Sequence, residues 1–470
     1  MERSAVEEAV ALAGLTLPDD VEYEVTGDDP VYKSPHLLGR GAAVARLLTG
    51  VAANELWRAR TGRTQRLTVD VRHAGAALLS FLHLRYEDES KRPAFERNGG
   101  ALRLAGIVEA RDGRHVQLHG SFHDGPTILK ELGLADDATA DDIAAAVRER
   151  DAFELEDAFI ALRVCGGVVR SRDEWAAHPQ GQALAALPVV TITRIDDGSP
   201  PQPLPADGDR PAAGLRVLDL TRVLAGPTSS KTLAEHGADV LHVSAPHLER
   251  RGPFEVETGI GKRHAVVDLR EEGQTDVLRS LVQGADVFVQ GYRLGALRRR
   301  GFGVEEALAL RPGLVYVSEN CYGHVGPWGE RPGWEQLAQA ATGMSFAEGA
   351  ASSSGVPRLA PAAVNDYSTG FFAAYGAMIA LARRAVEGGS WRVETSLSQT
   401  CSWYQRLGAS PRGEVDDVEA DRFLGPWMET EHLGRVRALA PALSMSETPP
   451  RWDLGPAPMG SSPAAWAVGS

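Results

Sequence analysis

One carboxylate stands out among the residues whose type and position could do chemistry. Asp366 lies in the run Asn-Asp-Tyr-Ser-Thr-Gly of residues 365–370, which opens an apolar stretch over residues 371–381. The pattern predicts a buried helix with Asp366 in its first turn, where free N–H groups and the helix dipole favour negative charge. Because a desolvated carboxylate must be paired, solvated or used, we interpret Asp366 as a covalent nucleophile towards a thioester. The alternative is an ordinary helix N-cap.

A second group of residues could bind an anionic ligand. Lys262 and Arg263 form a basic pair beside the start of a strand, and Arg293 follows another strand in a Tyr-Arg-Leu-Gly turn. A guanidinium binds phosphate through two parallel hydrogen bonds. The alternatives are a surface pair for Lys262 and Arg263 and a solvated loop arginine for Arg293.

A short run between a strand and a helix could hold the same ligand. It consists of Val223, Leu224, Ala225 and Gly226. Open α/β sheets bind ligands where a strand ends and a helix begins. The helix start favours anions, and the glycine leaves room for a ligand close to the backbone. The run is not a Gly-x-Gly-x-x-Gly fingerprint, so a dinucleotide site is only weakly supported.

Composition excludes several classes of protein. The 470 residues are 43% hydrophobic and 24% charged, and the formal net charge is -14. These values are typical of a globular protein of two or three domains and argue against non-specific nucleic-acid binding. The N-terminus lacks an apolar signal core, and no apolar run is long enough to span a membrane. The bias towards Arg, Ala and Gly suggests a bacterial source.

The cysteines indicate a reducing compartment. Cys165, Cys321 and Cys401 are scattered, and no two of them have a Cys-x-x-Cys spacing. Neither a disulfide framework nor a zinc site is therefore predicted. We expect a cytoplasmic protein.

The elements that must position these residues differ between the two halves. In the second half, short apolar strands alternate with helices, and this alternation predicts an α/β fold with a Rossmann-like parallel, doubly wound sheet. The predicted strands are residues 215–220, 239–243, 265–269, 286–290 and 314–318, and two of the helices are residues 229–236 and 275–283. The second half should therefore form the ligand-binding domain.

The first half predicts a second, smaller α+β domain. A helix over residues 44–60 precedes a strand over 66–71, and a hairpin is expected to join 105–110 to 116–119 around an Asp-Gly turn. Helices at 126–134 and 140–148 follow, the second with Thr139 as its N-cap.

A stretch rich in Pro, Asp and Gly separates the halves. We expect five segments: a lead (1–34), a module that includes the small domain (35–200), a Pro-rich linker (201–211), a Rossmann-like domain (212–405) and a C-terminal segment (406–470).

One helix–turn–strand unit occurs twice. Residues 50–59, 62 and 66–71 align with residues 376–385, 388 and 392–397 at a constant offset of 326. At that offset Asp366 corresponds to Arg40, so only the second copy carries the carboxylate.

Four segments of the second half, taken together, resemble the class III CoA-transferases, which include the formyl-CoA and carnitine CoA-transferases. They are residues 214–227 continuing to 237–240, residues 261–263, residues 285–287 with 291–295, and residues 322–327 with 331–333. Asp366 falls where this family keeps its catalytic aspartate. Residues 35–200 resemble the later half of the family, and residues 446–449 and 457–460 resemble its ending. The resemblance implies two partial family units fused in rearranged order.

The resemblance implies a function and roles for the residues. A CoA-transferase would move CoA between an acyl-CoA and a carboxylic acid through an aspartyl anhydride and an aspartyl-CoA thioester at Asp366. The run 223–226 with Lys262, Arg263 and Arg293 would contact CoA, a substrate, and no permanently bound cofactor or metal is expected. Residues 98–100 would form a glycine loop over the site. The chain would be a homodimer or an intramolecular pseudo-dimer.

Two alternatives stay open. Acyl-CoA racemases carry a His-Asp pair where this chain has Trp334 and Glu335, and a tryptophan cannot transfer protons. Racemisation or epimerisation is therefore disfavoured. A non-catalytic CoA-binding protein is the other alternative, because Arg40 shows that the first copy lacks the acid.

Overall fold

The computed structural model describes residues 1–93, 104–120, 124–205, 207–248, 252–411, 415 and 418–467. These residues form sixteen strands and sixteen α-helices. The strands are β1 (Tyr23–Thr26), β2 (Leu67–Asp70), β3 (Arg85–Tyr86), β4 (Ala105–Glu109), β5 (His115–His119), β6 (Gly166–Val168), β7 (Val190–Ile195), β8 (Arg216–Leu220), β9 (Asp239–Ser244), β10 (Lys262–Val266), β11 (Val287–Gln290), β12 (Val315–Asn320), β13 (Ser390–Ser396), β14 (Met428–Thr430), β15 (Gly434–Arg437) and β16 (Ser444–Met445). The helices are α1 (Arg3–Leu12), α2 (Leu38–Thr61), α3 (Val71–Ala77), α4 (Asp124–Glu131), α5 (Ala140–Arg148), α6 (Ala152–Leu162), α7 (Arg172–Ala177), α8 (Pro179–Ala185), α9 (Ala225–Glu235), α10 (Gly252–Thr258), α11 (Gln274–Gln283), α12 (Val304–Leu310), α13 (Glu335–Thr342), α14 (Met344–Ala350), α15 (Val364–Glu387) and α16 (Leu397–Tyr404).

The largest sheet has seven strands in the order β10-β9-β8-β11-β12-β13-β7. All neighbouring strands are parallel except β13 and β7, which are antiparallel. The strand order reverses on either side of β8, as it does in doubly wound sheets. The α/β class and the Rossmann-like sheet predicted from the alternating pattern are confirmed.

The bounds of one predicted strand were wrong. The strand expected at 265–269 is β10, and it begins three residues earlier, directly after Gly261 at φ +82°. Its partner fixes these bounds, because Lys262 pairs with Val240 and Val266 pairs with Ser244. The apolar residues beyond Val266 turn out of the sheet.

The predicted repeat is visible in space. Helices α2 and α15 have 24 residues each and are followed by β2 and β13, and then by the short helices α3 and α16. Strand β2 lies between parallel β1 and antiparallel β16, just as β13 lies between parallel β12 and antiparallel β7. The three-stranded sheet β1-β2-β16 is therefore a reduced copy of one edge of the large sheet.

Each copy receives its last strand from the other half of the chain. Strand β7 comes from the N-terminal module and completes the large sheet, and β16 comes from the C-terminal segment and completes the small one. The linker at 201–211 thus divides the chain but not the sheets. Between the copies, Arg46 on α2 forms a buried ion pair with Glu235 on α9 at 2.6 Å. The two copies are therefore joined within one chain by exchanged strands and by this ion pair.

The small domain contains the predicted hairpin. Strands β4 and β5 pair antiparallel, and β6 adds to β5. Helices α4, α5 and α6 cover this sheet with buried side chains such as Ile128, Val147 and Phe159. Thr139 caps α5, and the side chain of Asp142 bonds back to the Thr139 backbone. Within the described residues, no helix is both long and apolar enough to cross a bilayer.

Candidate active site

Asp366 lies in the first turn of α15, as the sequence predicts. The N-cap residue of this helix is Ala363, and no side chain caps it there, so Asp366 is not the N-cap. Its neighbours Asn365 and Tyr367 are buried, whereas the Asp366 side chain keeps a partial opening to solvent. The surrounding protein nevertheless desolvates the carboxyl and raises its pKa to about 7.

Glu335 is the hydrogen-bond partner of Asp366. It is the first residue of α13 and is 5% exposed. Its Oε1 accepts the backbone N–H of Asn365 at 2.9 Å and the side-chain amide of Gln339 at 3.0 Å. Burial, followed by the nearby charge of Asp366, raises the pKa of Glu335 well above its usual value. Glu335 is therefore the protonated member of the pair and donates to ionised Asp366, which lowers the pKa of Asp366.

A third carboxyl, Glu319, approaches the same place from the end of β12. The backbone N–H of Gly226 donates to this carboxyl, and the second oxygen, Oε2, is buried without a hydrogen-bond partner among the described residues. Burial and the charge of Asp366 raise the pKa of Glu319 to about 8. Three carboxyl groups with raised pKa values thus meet at the carboxyl edge of the sheet.

The predicted run 223–226 packs against the helix of Asp366. Val223 has φ +72°, a left-handed conformation that is rare for a β-branched residue. Such strain persists where the surrounding structure needs it and clusters at functional sites. Gly370, one turn after Asp366, allows the close approach, because a Cβ atom there would clash with the carbonyl oxygen of Ala225. The run 223–226 and the helix of Asp366 are therefore in contact at the edge of the sheet.

Lys262 and Arg263 have partners within the protein. Lys262 is 2% exposed, and its Nζ donates to Asp219 at 2.9 Å and to the carbonyl oxygen of Pro227 at 2.8 Å. Arg263 forms two hydrogen bonds to Asp239, at 2.9 and 2.8 Å. Direct contact of either side chain with a CoA phosphate would require these ion pairs to open. Lys262 instead holds the turn that contains the run 223–226.

Arg293 lies between the large sheet and the small domain. Its Nη1 donates to the carbonyl oxygen of Arg163 at 3.1 Å, and its Nη2 lies 3.6 Å from the Asp124 carboxylate. The side chain is 36% exposed, so it also reaches solvent. The local sequence around Arg293 could not predict its contacts with Asp124 and Arg163, because both residues are more than a hundred positions away along the chain.

Two cavities open at the carboxyl edge of the sheet near the run 223–226. One, of about 250 Å³, is lined by Arg222, Val223 and Lys262. The other, of about 200 Å³, has apolar walls that include Leu220 and Leu297. Ser244 lines both, so the cavities are neighbours.

Charged residues that were not predicted from the sequence border the second cavity. Asp268 and Arg270 both line it and form an ion pair at 2.6 Å, and His247 lies 3.2 Å from the same carboxylate. Their position directly after β9 and β10 was the available signal, because the carboxyl ends of parallel strands form ligand sites.

Comparisons with known proteins decide the family. A profile of CoA-transferase family III matches residues 213–411. The chain is 34% identical over 409 residues to an acyl-CoA transferase of Gibberella moniliformis and covers 79% of its own length and 71% of that protein. The chain belongs to CoA-transferase family III.

Two other similar proteins extend the comparison. The acetyl-coenzyme A transferase nodX of Hypoxylon pulicicidum is 35% identical over 324 residues, which is 64% of this chain and 54% of that protein. The chain thus spans only about half the length of this relative. A solved CAIB/BAIF family protein from Brucella suis is 30% identical over 42% of this chain and 55% of that one, with a TM-score of 0.38. The first two relatives are fungal, and the bacterial origin inferred from composition stays a prediction.

The first copy of the family III repeat has a different first turn. Arg40, which corresponds to Asp366, forms an ion pair with Asp28 at 3.0 Å. The carboxylate of Asp29 accepts the N–H groups of Gly39 and Arg40 at 2.9 and 2.8 Å and so caps the helix. This copy has a guanidinium where the second has the Asp366 carboxyl.

Trp334 and His324 both contact other side chains of the protein. Trp334 precedes Glu335, and its ring stacks on His119 at 5.6 Å. His324 is half-buried, its Nε2 lies 2.8 Å from the Ser318 hydroxyl, and desolvation by the surrounding protein lowers its pKa to about 4. His324 is therefore a neutral structural group at neutral pH. The predicted glycine loop at 98–100 lies outside the described residues.

Proposed function

We propose that this chain is a CoA-transferase that moves CoA between an acyl-CoA and a carboxylic acid through covalent intermediates on Asp366. The observation that carries the proposal is the pairing of Asp366 with protonated Glu335 in a partly open position at the start of α15. An ionised carboxylate that is partly open to solvent and has a hydrogen-bond donor beside it can attack a thioester. The names of the two fungal relatives, both transferases, agree with this chemistry.

The protonation states make Asp366 the nucleophile. Burial gives all three carboxyls raised pKa values, and Asp366 accepts the side-chain hydrogen bond of Glu335, which lowers the pKa of Asp366 and raises that of Glu335. With a pKa of about 7, roughly half of the Asp366 carboxyls are ionised at neutral pH. Glu335 and Glu319 remain mostly neutral, so the three carboxyls together hold at most one negative charge.

The chemical steps follow from that assignment. An Asp366 oxygen attacks the thioester carbonyl carbon, the C–S bond breaks, and its electron pair leaves with the CoA thiolate. The thiolate then attacks the aspartyl carbonyl of the anhydride and releases the first acid as a carboxylate. The acceptor carboxylate reverses the two steps. This series of covalent steps replaces one difficult direct transfer with several easier ones. The surrounding protein would protect the anhydride from water.

CoA is expected to lie along the carboxyl edge of the sheet. The apolar cavity bordered by Asp268, Arg270 and His247 and the cavity beside Val223 share Ser244, and together they would hold the CoA. The run 223–226 would let the pantetheine arm pass close to the backbone, where the start of α9 favours negative charge. Arg293 would meet the ligand from the small-domain side.

The experiment that tests the proposal traps the intermediate. The protein is incubated with acetyl-CoA, treated with hydroxylamine and analysed by mass spectrometry. We expect an Asp366-linked adduct that disappears in Asp366→Asn. Asp276→Asn is the matched control, because Asp276 also lies in the first turn of a helix but is exposed.

Other outcomes identify the alternatives. CoA bound without any adduct would indicate a non-catalytic binding protein and would contradict the proposal. Solvent deuterium incorporated next to the thioester carbonyl of a 2-methylacyl-CoA would indicate a racemase or epimerase. Trp334 argues against that result, because its side chain cannot accept or return a proton. A screen of acyl-CoAs against carboxylic acids would then identify donor and acceptor.

A further inference from the structure

Glu319 is a buried carboxyl that the proposed steps do not use. It sits at the end of β12, in the strand next to β13 and close to the first turn of α15. The charges of Asp366 and Asp219 both act on it. No Lys, Arg or His forms an ion pair with it among the described residues, so nothing in that part of the chain stabilises a negative charge on it through a salt bridge.

The two oxygens of Glu319 have different surroundings. The carboxyl accepts the backbone N–H of Gly226, at the start of α9, while Oε1 lies so close to Gly291 that a Cβ atom there would approach it to 2.9 Å. The other oxygen, Oε2, is buried and lacks a hydrogen-bond partner among the described residues. The carboxyl therefore accepts one backbone hydrogen bond, and its Oε2 makes no hydrogen bond among the described residues.

The neutral form of Glu319 places a donor on the unused side. The oxygen that accepts an N–H group stays the carbonyl oxygen, and the proton resides on the other. An O–H group results on Oε2, and a buried donor without an acceptor costs free energy until a ligand supplies one. Burial and the neighbouring carboxylate favour this neutral form at neutral pH.

We propose that Glu319 is a second catalytic residue, whose Oε2–H hydrogen-bonds to the thioester carbonyl oxygen as Asp366 attacks. This inference rests on the proposed function. When the Asp366 oxygen bonds to the carbonyl carbon, the electron pair of the C=O bond moves onto that oxygen, which becomes negative. The Glu319 hydrogen bond stabilises this charge without giving up its proton. The C=O bond re-forms as the C–S bond breaks and the CoA thiolate leaves.

The position of Glu319 suits this role. The N–H of Gly226 fixes its orientation from the same turn that contains strained Val223, so the donor is set before the substrate binds. Donors that are preorganised in a desolvated site stabilise developing charge without reorganising. Glu335 cannot serve in the same way, because its proton is already donated to Asp366.

Three variants test the role of Glu319 in the full chain. Glu319→Gln keeps a neutral N–H donor at the same length, and Glu319→Met removes the donor but fills a similar volume. Glu348→Gln is the control, since Glu348 is also a buried carboxyl with a raised pKa, but it bonds to Ser34 and Arg358, away from Asp366. The measured quantities are the single-turnover rate of adduct formation on Asp366 and the affinity for acetyl-CoA.

We expect Glu319→Met to form the adduct about 100-fold more slowly than the native protein, with little change in affinity, as for the loss of one oxyanion donor. Glu319→Gln should stay within about tenfold of the native rate. A native rate in Glu319→Met would overturn the inference. So would a rate for Glu319→Gln as low as that of Glu319→Met, because it would mean that the charged form is needed.

Further measurements distinguish a failed role of Glu319 from misfolding and from a failed proposed function. If Glu319→Met does not fold, as judged by circular dichroism, Glu319→Asp replaces it. Aspartate keeps the O–H but shortens its reach, so it should be slower than Gln, and the reverse order would contradict the inference. No adduct in the native protein would refute the proposed function itself. Adducts formed equally fast in native protein and variants would refute only the role of Glu319.

Discussion

The pairing of Asp366 with Glu335 leads to a quantitative prediction about the pH dependence of the reaction. The perturbation is Glu335→Leu, which removes the hydrogen-bond donor and leaves a side chain of similar bulk. In the native protein the donor lowers the pKa of Asp366, and burial raises it, with a net value of about 7. In the proposed mechanism the ionised form of Asp366 attacks the thioester, so the rate should rise as the pH passes this pKa from below.

The size of the shift follows from the strength of the lost bond. A hydrogen bond to a charged group contributes about 1.5–3 kcal/mol, and one pKa unit corresponds to about 1.4 kcal/mol. Loss of the Glu335 donor should therefore move the acidic limb upwards by about 1–2 units. At pH 7 the ionised fraction would fall from about one half to about 1–10%, and the rate by roughly 5- to 50-fold.

The assay is the pH dependence of kcat/KM for acyl transfer, measured for the native protein, Glu335→Leu and Glu335→Gln. The glutamine variant keeps an N–H donor, so its acidic limb should stay near that of the native protein. The leucine variant should regain most of its rate at high pH. Glu335 also accepts the N–H of Asn365 at the start of α15, so a separate stability loss of about 1 kcal/mol is expected and is measured by thermal unfolding.

Two results would refute this reasoning. If the acidic limb of the pH–rate profile were unchanged in Glu335→Leu, the hydrogen bond from Glu335 would not determine the pKa of Asp366. A limb displaced to lower pH would show that Glu335 is ionised and repels Asp366, which reverses the proton assignment.

Two further predictions concern the packing that holds the site. Gly370→Ala should lower stability by about 1–3 kcal/mol and slow acyl transfer, because a Cβ atom would clash with the Ala225 carbonyl oxygen and displace the first turn of α15. Gly376→Ala, on the same helix but against Val393, should lower stability without a comparable loss of rate in the same assays; equal rate losses would argue against a specific effect on the first turn. Arg46→Met should cost about 3–5 kcal/mol in urea unfolding, because it leaves Glu235 buried without its partner at 2.6 Å. Adding Glu235→Leu should restore much of that stability, and no recovery would contradict the idea that the unpaired charge causes the loss.

Much of the local structure could be predicted because it depends on neighbours in sequence. Thr139 is the N-cap of α5, and the helix begins at the predicted residue. The Asp-Gly turn joins β4 to β5, because Gly113 adopts φ +76° at little cost in free energy. The constant offset between the two copies correctly pairs α2 with α15. Where a strand's bounds depended on its partner, as in β10, the local pattern misplaced them by three residues.

The candidate site was predicted only in part. Asp366 stands in the first turn of its helix, as expected, because an apolar run after a polar Asn-Asp pair is a local signal. Glu335 and Glu319 were not predicted as partners, because they lie far along the chain and nothing in their own neighbourhoods marks them. Lys262 is basic beside a strand, but only its burial against Asp219 shows that it supports the turn.

The sequence by itself determined the alternation of strands and helices, the repeat and the position of one acidic residue in a helix start. These features depend on hydrophobic period and local hydrogen bonding, which a few adjacent residues specify. Only the tertiary structure decided that β7 and β16 exchange between the copies and that three carboxyls share one edge of the sheet. The protonation of Asp366 and Glu335 depends on burial and on charges brought together by folding, and these arise from residues that are distant in sequence.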